Sequence, residues 1–265
     1  MLNLVNIRKT FNAGTINEKV ALNGIDLRLE DGDFVTVIGG NGAGKSTLLN
    51  AIAGSFKVDE GKIFLGEKDI TRIPEHKRAK FLGRVFQDPR MGTTSNMEIQ
   101  ENLALALRRG KIRGLAWGIS KKETLHYFEL LKKIDLGLEN RLSTKVGTLS
   151  GGQRQTLTLL MATICKPELL LLDEHTAALD PKTAKKVLSL TDEIVRESNL
   201  TTLMITHNMA DAITYGNRLI MMHEGKIVYD VKGEEKSKLT VPDLLEKFGQ
   251  SVGEGFATDR MVLSR

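Results

Sequence analysis

One glycine-rich run carries residues suited to holding phosphate groups. Its members are Gly39, Gly40, Asn41, Gly42, Ala43, Gly44, Lys45, Ser46 and Thr47. The run matches the pattern G-x-x-x-x-G-K-[ST], in which glycines let backbone N–H groups turn toward an anion. In that pattern the lysine lies along the β- and γ-phosphates and the hydroxyl binds Mg²⁺, which are the roles we expect for Lys45 and Ser46. The run therefore predicts a nucleoside triphosphate site.

Two acidic residues follow an apolar run that is typical of a buried parallel strand. The run covers residues 169–172, and Asp173 and Glu174 come directly after it. Open α/β sheets bind their ligands at the carboxyl ends of strands, so we expect Asp173 to hold Mg²⁺ through its water shell. Glu174 has the chemistry to accept a proton from an attacking water. The alternative is a pair of solvated acids after a strand.

Two further predicted strands, 83–87 and 201–206, also lead to polar residues. Gln87 has an amide able to bind a metal or orient water, and His207 has an imidazole able to donate to a γ-phosphate. Taken alone, each is more typical of a strand-end residue whose hydrogen bonds are satisfied. Phe11, at the end of the first predicted strand, offers an aromatic face to a purine. A core phenylalanine is an equally good interpretation of Phe11.

A second helix start has an unusual glycine content. Ser150, Gly151, Gly152 and Gln153 introduce a predicted apolar helix. Ser150 and Gln153 fit a capping box, which explains their presence without a ligand. Glycines in the first helical positions are unfavourable for a helix but leave its amides bare, which suits a second anion site. The chain therefore predicts two phosphate-binding helix starts.

The patterns around these residues predict an α/β fold: a P-loop NTPase core with a mostly parallel sheet, an N-terminal antiparallel β subdomain and an inserted α-helical subdomain. The predicted strands cover 2–11, 20–30, 34–38, 61–66, 83–87, 169–172, 201–206, 218–223 and 226–230. The predicted helices run from the glycine-rich loop to Gly54 and over 99–107, 119–136, 181–198, 209–215 and 242–248. Helical patterns dominate from about residue 88 to 165, which is the predicted insertion. Its helix 119–136 is expected to place Leu125, Phe128, Leu131 and Leu136 on one face.

Composition narrows the class of protein. The 265 residues carry a formal net charge of +5 and are 41% hydrophobic, which is an ordinary globular balance. The single cysteine, Cys165, leaves no partner for an internal disulfide and favours a reducing compartment. No apolar run approaches the roughly 18 residues of a membrane span, so a role at a membrane is expected to be peripheral. The mild basic charge is compatible with nucleic acid or an anionic membrane surface and establishes neither.

The motifs resemble, in order and spacing, those of ABC-type ATPase subunits. The matching segments are 39–47, 86–87, 149–155, 172–174, 178–180 and 206–207. The resemblance implies ATP and Mg²⁺ as ligands, and a head-to-tail dimer of two such subunits. In that dimer Lys45 of one subunit and the partner subunit's Ser150 and Gly152 would enclose one ATP. It also implies that the ring of Phe11 stacks on adenine.

Asp180 has two possible roles, and two positions depart from the motifs most frequent in the family. The resemblance implies that Asp180 crosses the dimer interface, although Asp180 also fits the N-cap of a helix that starts at Pro181. Gly40 and Ala177 depart from the residues most frequent in the family, and neither departure removes a ligand. With Glu174 present, an active ATPase is expected.

The resemblance also implies a function and a location. We expect one ATPase domain over 1–250, with the helical subdomain at about 88–165, followed by a tail, 251–265. The expected role is to power solute import through separate permease subunits that dock near 87–105. The resemblance points to the branch of the family that serves tryptophan, tyrosine or related organic solutes, so the solute is expected to be an amino acid. An extracytoplasmic solute-binding protein would act through the permease, and the subunit would lie peripherally on the cytoplasmic face of the membrane.

Two alternatives belong to other functional classes. One is a soluble ABC ATPase acting on nucleic acid or ribosomes. The sequence shows no second cassette, long heptad insertion, zinc-type cysteine cluster or aromatic-basic stripe, so no nucleic-acid partner is expected. The other is a nucleotide-dependent switch that hardly turns over. Glu174 discriminates between a switch and an ATPase, because only an ATPase has turnover that its replacement would abolish.

Overall fold

Two β-sheets contain the strands of this computed structural model, which describes residues 1–111, 118–134 and 136–252. The strands are β1 Leu2–Phe11, β2 Lys19–Leu29, β3 Phe34–Ile38, β4 Glu60–Leu65, β5 Lys68–Asp69, β6 Leu82–Val85, β7 Leu169–Asp173, β8 Thr202–Ile205, β9 Arg218–His223 and β10 Lys226–Lys232. One sheet has the order β2-β1-β4-β5 and the other the order β10-β9-β3-β8-β7-β6. The six-stranded sheet holds β3, which leads into the glycine-rich loop, β7, which ends at Asp173, and β8, which precedes His207.

The six-stranded sheet is mostly parallel, as predicted. Strand β3 pairs in parallel with β8 and β9, and β7 pairs in parallel with β6 and β8. Only the edge strand β10 runs antiparallel to its neighbour in this sheet. All five residues of β3 are buried, as are the four leucines of β7, because helices cover both faces of the sheet.

The four-stranded sheet is the predicted antiparallel unit. Strand β1 pairs antiparallel with β2 and β4. In β2 the apolar residues Ile25, Leu27 and Leu29 are buried and alternate with exposed Asp26 and Arg28. This alternation follows from the two-residue period of a strand with one face on the core.

The helices are distributed between the parallel core and a separate helical segment. They are α1 Lys45–Ala53, α2 Glu75–Arg78, α3 Ile99–Leu107, α4 Lys121–Ile134, α5 Gly151–Thr163, α6 Pro181–Glu197, α7 Met209–Thr214, α8 Gly233–Ser237 and α9 Val241–Val252. Between β6 and β7 the described residues form α3, α4, α5 and short 3-10 turns. These helices share a core of their own, which includes Leu103, Tyr127, Leu131 and Leu157. The helical insertion is therefore present in the described part of the chain.

Two local predictions were wrong, and several short elements were not predicted. The strand predicted to end at Gln87 ends at Val85, and Asp88 caps a 3-10 turn that begins at Pro89. Leu125 was expected on the buried face of α4 but is 62% exposed, and Tyr127 takes the buried position at helical spacing from Leu131. The short elements α2, β5 and α8 were not predicted, since each has too few residues to show a period. The predicted tail, 251–265, lies almost entirely outside the described residues.

Candidate nucleotide-binding site

The glycine-rich loop joins β3 to α1 through backbone conformations that favour glycine. Gly42 and Gly44 have φ angles of 81° and 100°, and Gly39 has φ 148°. A Cβ on Gly39 would lie 2.2 Å from the carbonyl oxygen of Met222, and one on Gly44 would lie 2.5 Å from that of Ala21. Other residues would clash with the neighbouring backbone, so the loop keeps its path only with glycine at both positions.

Lys45, the first residue of α1, lies inside this loop. Its side chain is buried, and Nζ donates hydrogen bonds to the carbonyl oxygens of Gly39 at 2.7 Å and Gly40 at 3.0 Å. These bonds hold the ammonium next to the N–H groups at the start of the helix. Positive charge and the positive end of a helix dipole therefore coincide at one point.

A cavity of about 280 Å³ opens over the loop. Residues of the loop line it, together with Phe11, Lys19, Ala21 and Glu174. The ring of Phe11 meets that of Phe56 edge-on, with centroids 5.3 Å apart. The cavity thus combines phosphate-binding backbone, an aromatic ring and one carboxylate.

Ser46 and Asp173 meet beside this cavity, as the motifs predict. The Ser46 hydroxyl donates to Oδ1 of Asp173 over 3.3 Å, which connects the start of α1 with the end of β7. Burial raises the pKa of Asp173, while the guanidinium of Arg84 on β6 acts against that shift. A hydroxyl beside a carboxylate is an oxygen pair that suits Mg²⁺, a cation that usually keeps several waters and binds phosphate oxygens. In residues 1–111, 118–134 and 136–252 no three His, Cys, Asp or Glu side chains form a metal cluster.

Glu174 and His207 form a second polar pair. Oε2 of Glu174 lies 3.5 Å from Nδ1 of His207, which follows β8. The hydrogen bond lowers the pKa of Glu174 and raises the pKa of His207, so each group favours the charged form of the other. Glu174 has φ 43°, an uncommon backbone conformation outside glycine, and its N–H donates to the carbonyl of Ile205. The structure therefore holds this carboxylate at the rim of the cavity in a defined conformation.

Gln87 is not brought into this arrangement. It lies two residues beyond β6, its side chain is exposed, and it is absent from the described residues that line the cavity. The Phe86 carbonyl before it accepts a long hydrogen bond, 3.4 Å, from Gln155 of α5. The roles predicted for Gln87 therefore stay predictions.

The second helix start has the capping box that its residues predict. Ser150 Oγ accepts from the N–H of Gln153, and Gln153 Oε1 accepts from the N–H of Ser150. Ser150, Gly152 and Gln153 line a separate cavity of about 550 Å³, whose other wall is α6. Within one chain this helix start and the phosphate loop line different cavities.

Asp180 has the local role that its position before Pro181 predicts. Its side chain accepts from the N–H of Thr183 at 3.0 Å and so caps α6. Thr183 lines the same cavity as Ser150 and Gly152. The N-termini of α5 and α6 therefore lie side by side.

Two residues near the phosphate site were not found from the sequence. Lys19 is the first residue of β2 and lines the nucleotide cavity. Arg84 on β6 is close enough to Asp173 to act on the pKa of its carboxyl, and it also bonds Ser55 and Asn50. Neither belongs to a recurrent motif. Both reach the site from elements distant in sequence from the phosphate loop, so no local pattern pointed to them.

The family model described as ABC transporter matches residues 22–177. A tyrosine transport ATP-binding protein of Clostridioides difficile is 49% identical over 95% of this chain and 100% of its own length. The chain belongs to the ABC transporter ATP-binding family. The protein is accordingly an ATPase that binds ATP, and the predicted fold class is confirmed.

Other relatives of this ABC ATPase are components of import systems. The phosphonates import ATP-binding protein PhnC of Lactococcus lactis is 32% identical over 94% of the chain and 100% of its own length. The spermidine/putrescine import protein PotA of Fusobacterium nucleatum is 35% identical, and the chain spans 56% of its length.

Solved structures of ABC cassettes share the fold. The dimeric post-hydrolysis state of cassette MJ0796 bound to ADP and Pi has a TM-score of 0.75 at 30% identity, covering 88% of this chain and 98% of that one. The ADP conformation of cassette MJ1267 has a TM-score of 0.77 at 29% identity, covering 96% and 99%. In the described part of this ABC ATPase, no helix is both long and apolar enough to span a membrane.

Proposed function

We propose that the protein is the ATP-hydrolysing subunit of an importer for tyrosine or a related amino acid. The observation that carries this proposal is the 49% identity to a tyrosine transport ATP-binding protein along its full length. The importer relatives at lower identity support uptake over export. Separate permease subunits would form the translocation path, and an extracytoplasmic solute-binding protein would deliver the solute to them.

The site residues have distinct proposed roles. The loop 39–47 with Lys45 holds the phosphates, and the ring of Phe11 stacks on adenine. Glu174 accepts the proton of the attacking water, since its lowered pKa keeps it ionised and ready as a base. His207 orients Glu174 and donates to the γ-phosphate, and Gln87 would join the site only after a movement of its segment.

Ser46 and Asp173 are the proposed holders of Mg²⁺. When bound, the ion would neutralise charge on the phosphate oxygens, which is the main demand of phosphoryl transfer. A bound cation would also offset the burial that raises the pKa of Asp173.

We further propose a head-to-tail homodimer as the active form. The helix start at Ser150 lines one cavity, and the phosphate loop of the same chain lines another. In a head-to-tail pair, the partner subunit's Ser150 and the partner subunit's Gly152 would complete each ATP site, and Asp180 would lie at the interface.

A cleft between the parallel core and the helical insertion is the proposed permease-docking surface. Its volume is about 530 Å³, and its walls include Phe86, Met91 and Leu105. Met91 is 70% exposed, and an exposed methionine suits contact with a partner helix because its side chain is flexible and polarisable. Docking there would hold the subunit peripherally on the cytoplasmic face of the membrane.

The function is tested by uptake in cells that lack the gene for this chain. Uptake of labelled tyrosine, spermidine and a phosphonate is compared after complementation with the wild type or with Glu174→Gln. The proposal expects tyrosine uptake to return with the wild type alone. Restoration of spermidine or phosphonate uptake instead would reject the amino-acid assignment.

The nucleotide chemistry is tested on the purified protein. Glu174→Gln should bind ATP as the wild type does but lose turnover, because only the proton acceptor is removed. A nucleotide-dependent switch would show no turnover in the wild type either. Salt-sensitive binding to RNA or DNA would favour the alternative ATPase class.

A further inference from the structure

The hairpin of β1 and β2 delivers two side chains to the nucleotide cavity. Phe11 and Lys19 are cross-strand partners, so their side chains leave the sheet on the same face. Both line the cavity over the phosphate loop. The hairpin therefore presents an aromatic ring and an ammonium group to one ligand.

The ammonium of Lys19 lies close to the phosphate loop itself. A Cβ on Gly42 would be 3.3 Å from Nζ of Lys19. The ammonium therefore approaches the loop at a residue that has no side chain to cover the backbone. Gly42 also has a φ of 81°, which turns the loop at this point. Lys19 is thus directed at the part of the loop that is built to face phosphate.

The carboxylate next to Lys19 in sequence, that of Glu18, is engaged within the loop before β2. Oε2 of Glu18 accepts from the N–H of Gly14 at 2.7 Å, and the N–H of Glu18 donates to the Thr15 carbonyl at 3.0 Å. The nearest carboxylate in sequence is therefore engaged inside the loop. Throughout residues 1–111, 118–134 and 136–252, no carboxylate forms an ion pair with Lys19.

The charge balance of the site favours a second cation. Glu174 lines the cavity, and Asp173 lies beside it, so carboxylates oppose the approach of a triphosphate. The ammonium of Lys45 shares its hydrogen bonds with two loop carbonyls. Because charges interact more strongly near protein than in bulk water, the ammonium of Lys19 in the same cavity would offset part of this repulsion.

We propose that Lys19 is a phosphate ligand of ATP that acts beside the phosphate loop. Its ammonium binds the phosphate chain, while its cross-strand partner Phe11 contacts the base. The proposal rests on the nucleotide site of the proposed function and adds a ligand from the antiparallel sheet. ATP affinity would then depend on the position of the hairpin as well as on the loop.

The test is direct binding of ATP in the presence of Mg²⁺, measured by equilibrium dialysis at two salt concentrations. Loss of one charge-assisted contact should raise the Kd of Lys19→Gln about tenfold. Lys19→Arg keeps the charge and should stay within about twofold of the wild type. Lys62→Gln removes an exposed lysine of β4 in the same sheet, away from the cavity, and should leave the Kd unchanged.

Three results would each overturn the role of Lys19. Wild-type affinity in Lys19→Gln, equal losses in Lys19→Gln and Lys19→Arg, or equal salt dependence of the wild type and Lys19→Gln would each overturn it. Lys45→Ala separates this proposal from the site on which it rests. If Lys45→Ala binds ATP as the wild type does, the loop is not the nucleotide site. If only Lys45→Ala loses binding, the site stands and the role of Lys19 is rejected.

Discussion

Glu174 and His207 share a hydrogen bond that links their protonation to folding. The bond raises the pKa of His207 above 6.5, so its contribution to stability is full below pH 6.5 and is lost as pH rises through the folded pKa. The bond lowers the pKa of Glu174 below 4.5, so that contribution is present above pH 4.5 and is lost as pH falls. The pair should therefore stabilise the fold most between these two values.

The first prediction follows for His207→Gln. The difference in melting temperature between wild type and variant should be largest between pH 5 and 6.5 and should shrink above that range, with thermal unfolding followed by circular dichroism. The shift is a modest one, because the His207 side chain is 43% exposed and solvent screens the pair. His76→Gln, at an exposed histidine, is the control. A difference that does not vary with pH would contradict the coupling.

His175 is a second histidine whose protonation should affect stability, with the opposite sign. It is buried, its Nε2 lies 3.1 Å from the Thr191 hydroxyl, and that hydroxyl donates to the Val187 carbonyl. Burial lowers the pKa of His175 from 6.5 to about 4, so the unfolded chain takes up the proton first as pH falls. Stability should therefore decline between pH 6.5 and 4.

The second prediction concerns His175→Gln, which keeps an amide donor near Thr191. Wild type should lose more free energy of unfolding than the variant between pH 7 and pH 5, by up to about 1.4 kcal/mol for each pH unit below 6.5. Urea unfolding at the two pH values measures both losses, and the shared carboxylates cancel in the comparison. Equal losses would show that His175 does not remain neutral in the fold.

Local motifs made most of the candidate site predictable from sequence. The residues 39–47, Asp173, Glu174 and His207 stand at fixed places in strand–loop–helix patterns, and the structure brings most of them to one edge of the sheet. Lys19 and His175 carry no such pattern. Their surroundings come from β-hairpin pairing and from packing on α6, which a single sequence does not encode locally.

At the scale of elements, the starts of α5 and α6 are so close that only glycine fits at position 152 without a shift of its neighbours. A Cβ on Gly152 would lie 2.2 Å from Cγ2 of Thr183. The neighbouring Gly151 has more space, since a Cβ there would lie 3.4 Å from Leu179. Packing against α6 therefore requires glycine at position 152 but not at position 151.

The third prediction follows from this difference. Gly152→Ala should lower the free energy of unfolding by about 1–3 kcal/mol through overpacking. Gly151→Ala is the matched control, and it should be neutral or slightly stabilising because alanine favours helix. Chemical unfolding of the two variants measures the difference.

A second substitution tests the cause. Thr183→Ser removes the Cγ2 atom but keeps the backbone N–H that Asp180 accepts from. Added to Gly152→Ala, it should recover most of the lost stability. Absence of recovery would mean that the contact between the helices is not what requires glycine at this position.

Element boundaries were predictable where long patterns and caps coincide. α6 has Asp180 as N-cap and Pro181 as its first residue, and its predicted and observed starts agree. On α4 Ser120 and Glu123 form a capping box, and the helix starts at Lys121, two residues after its predicted start at 119, but the apolar pattern misplaced Leu125. A helix of an insertion touches its core on a narrow stripe, so several apolar residues compete for few buried positions.

At the scale of the whole molecule, the chain carries two helix starts suited to anions that do not face each other. The phosphate loop and the start of α5 line different cavities. A single chain therefore has no evident use for the bare amides of Gly151 and Gly152. A second copy in head-to-tail orientation would place each helix start against a phosphate held by the other loop.

The last prediction tests that arrangement in a Glu174→Gln background, where ATP is expected to stay bound. With Mg²⁺ and ATP, Glu174→Gln should form dimers in light scattering after size exclusion, and should be monomeric without nucleotide. Adding Ser150→Arg should leave ATP binding intact but abolish the dimer, because the bulky side chain would block the helix start. Ser143→Arg, at an exposed serine of the same segment, is the control and should dimerise. Two results would reject an ATP site shared between two subunits: a Glu174→Gln, Ser150→Arg double variant that still dimerises, or a Glu174→Gln protein that stays monomeric with saturating ATP. Either result would mean that the start of α5 does not bind the phosphates held by a partner subunit.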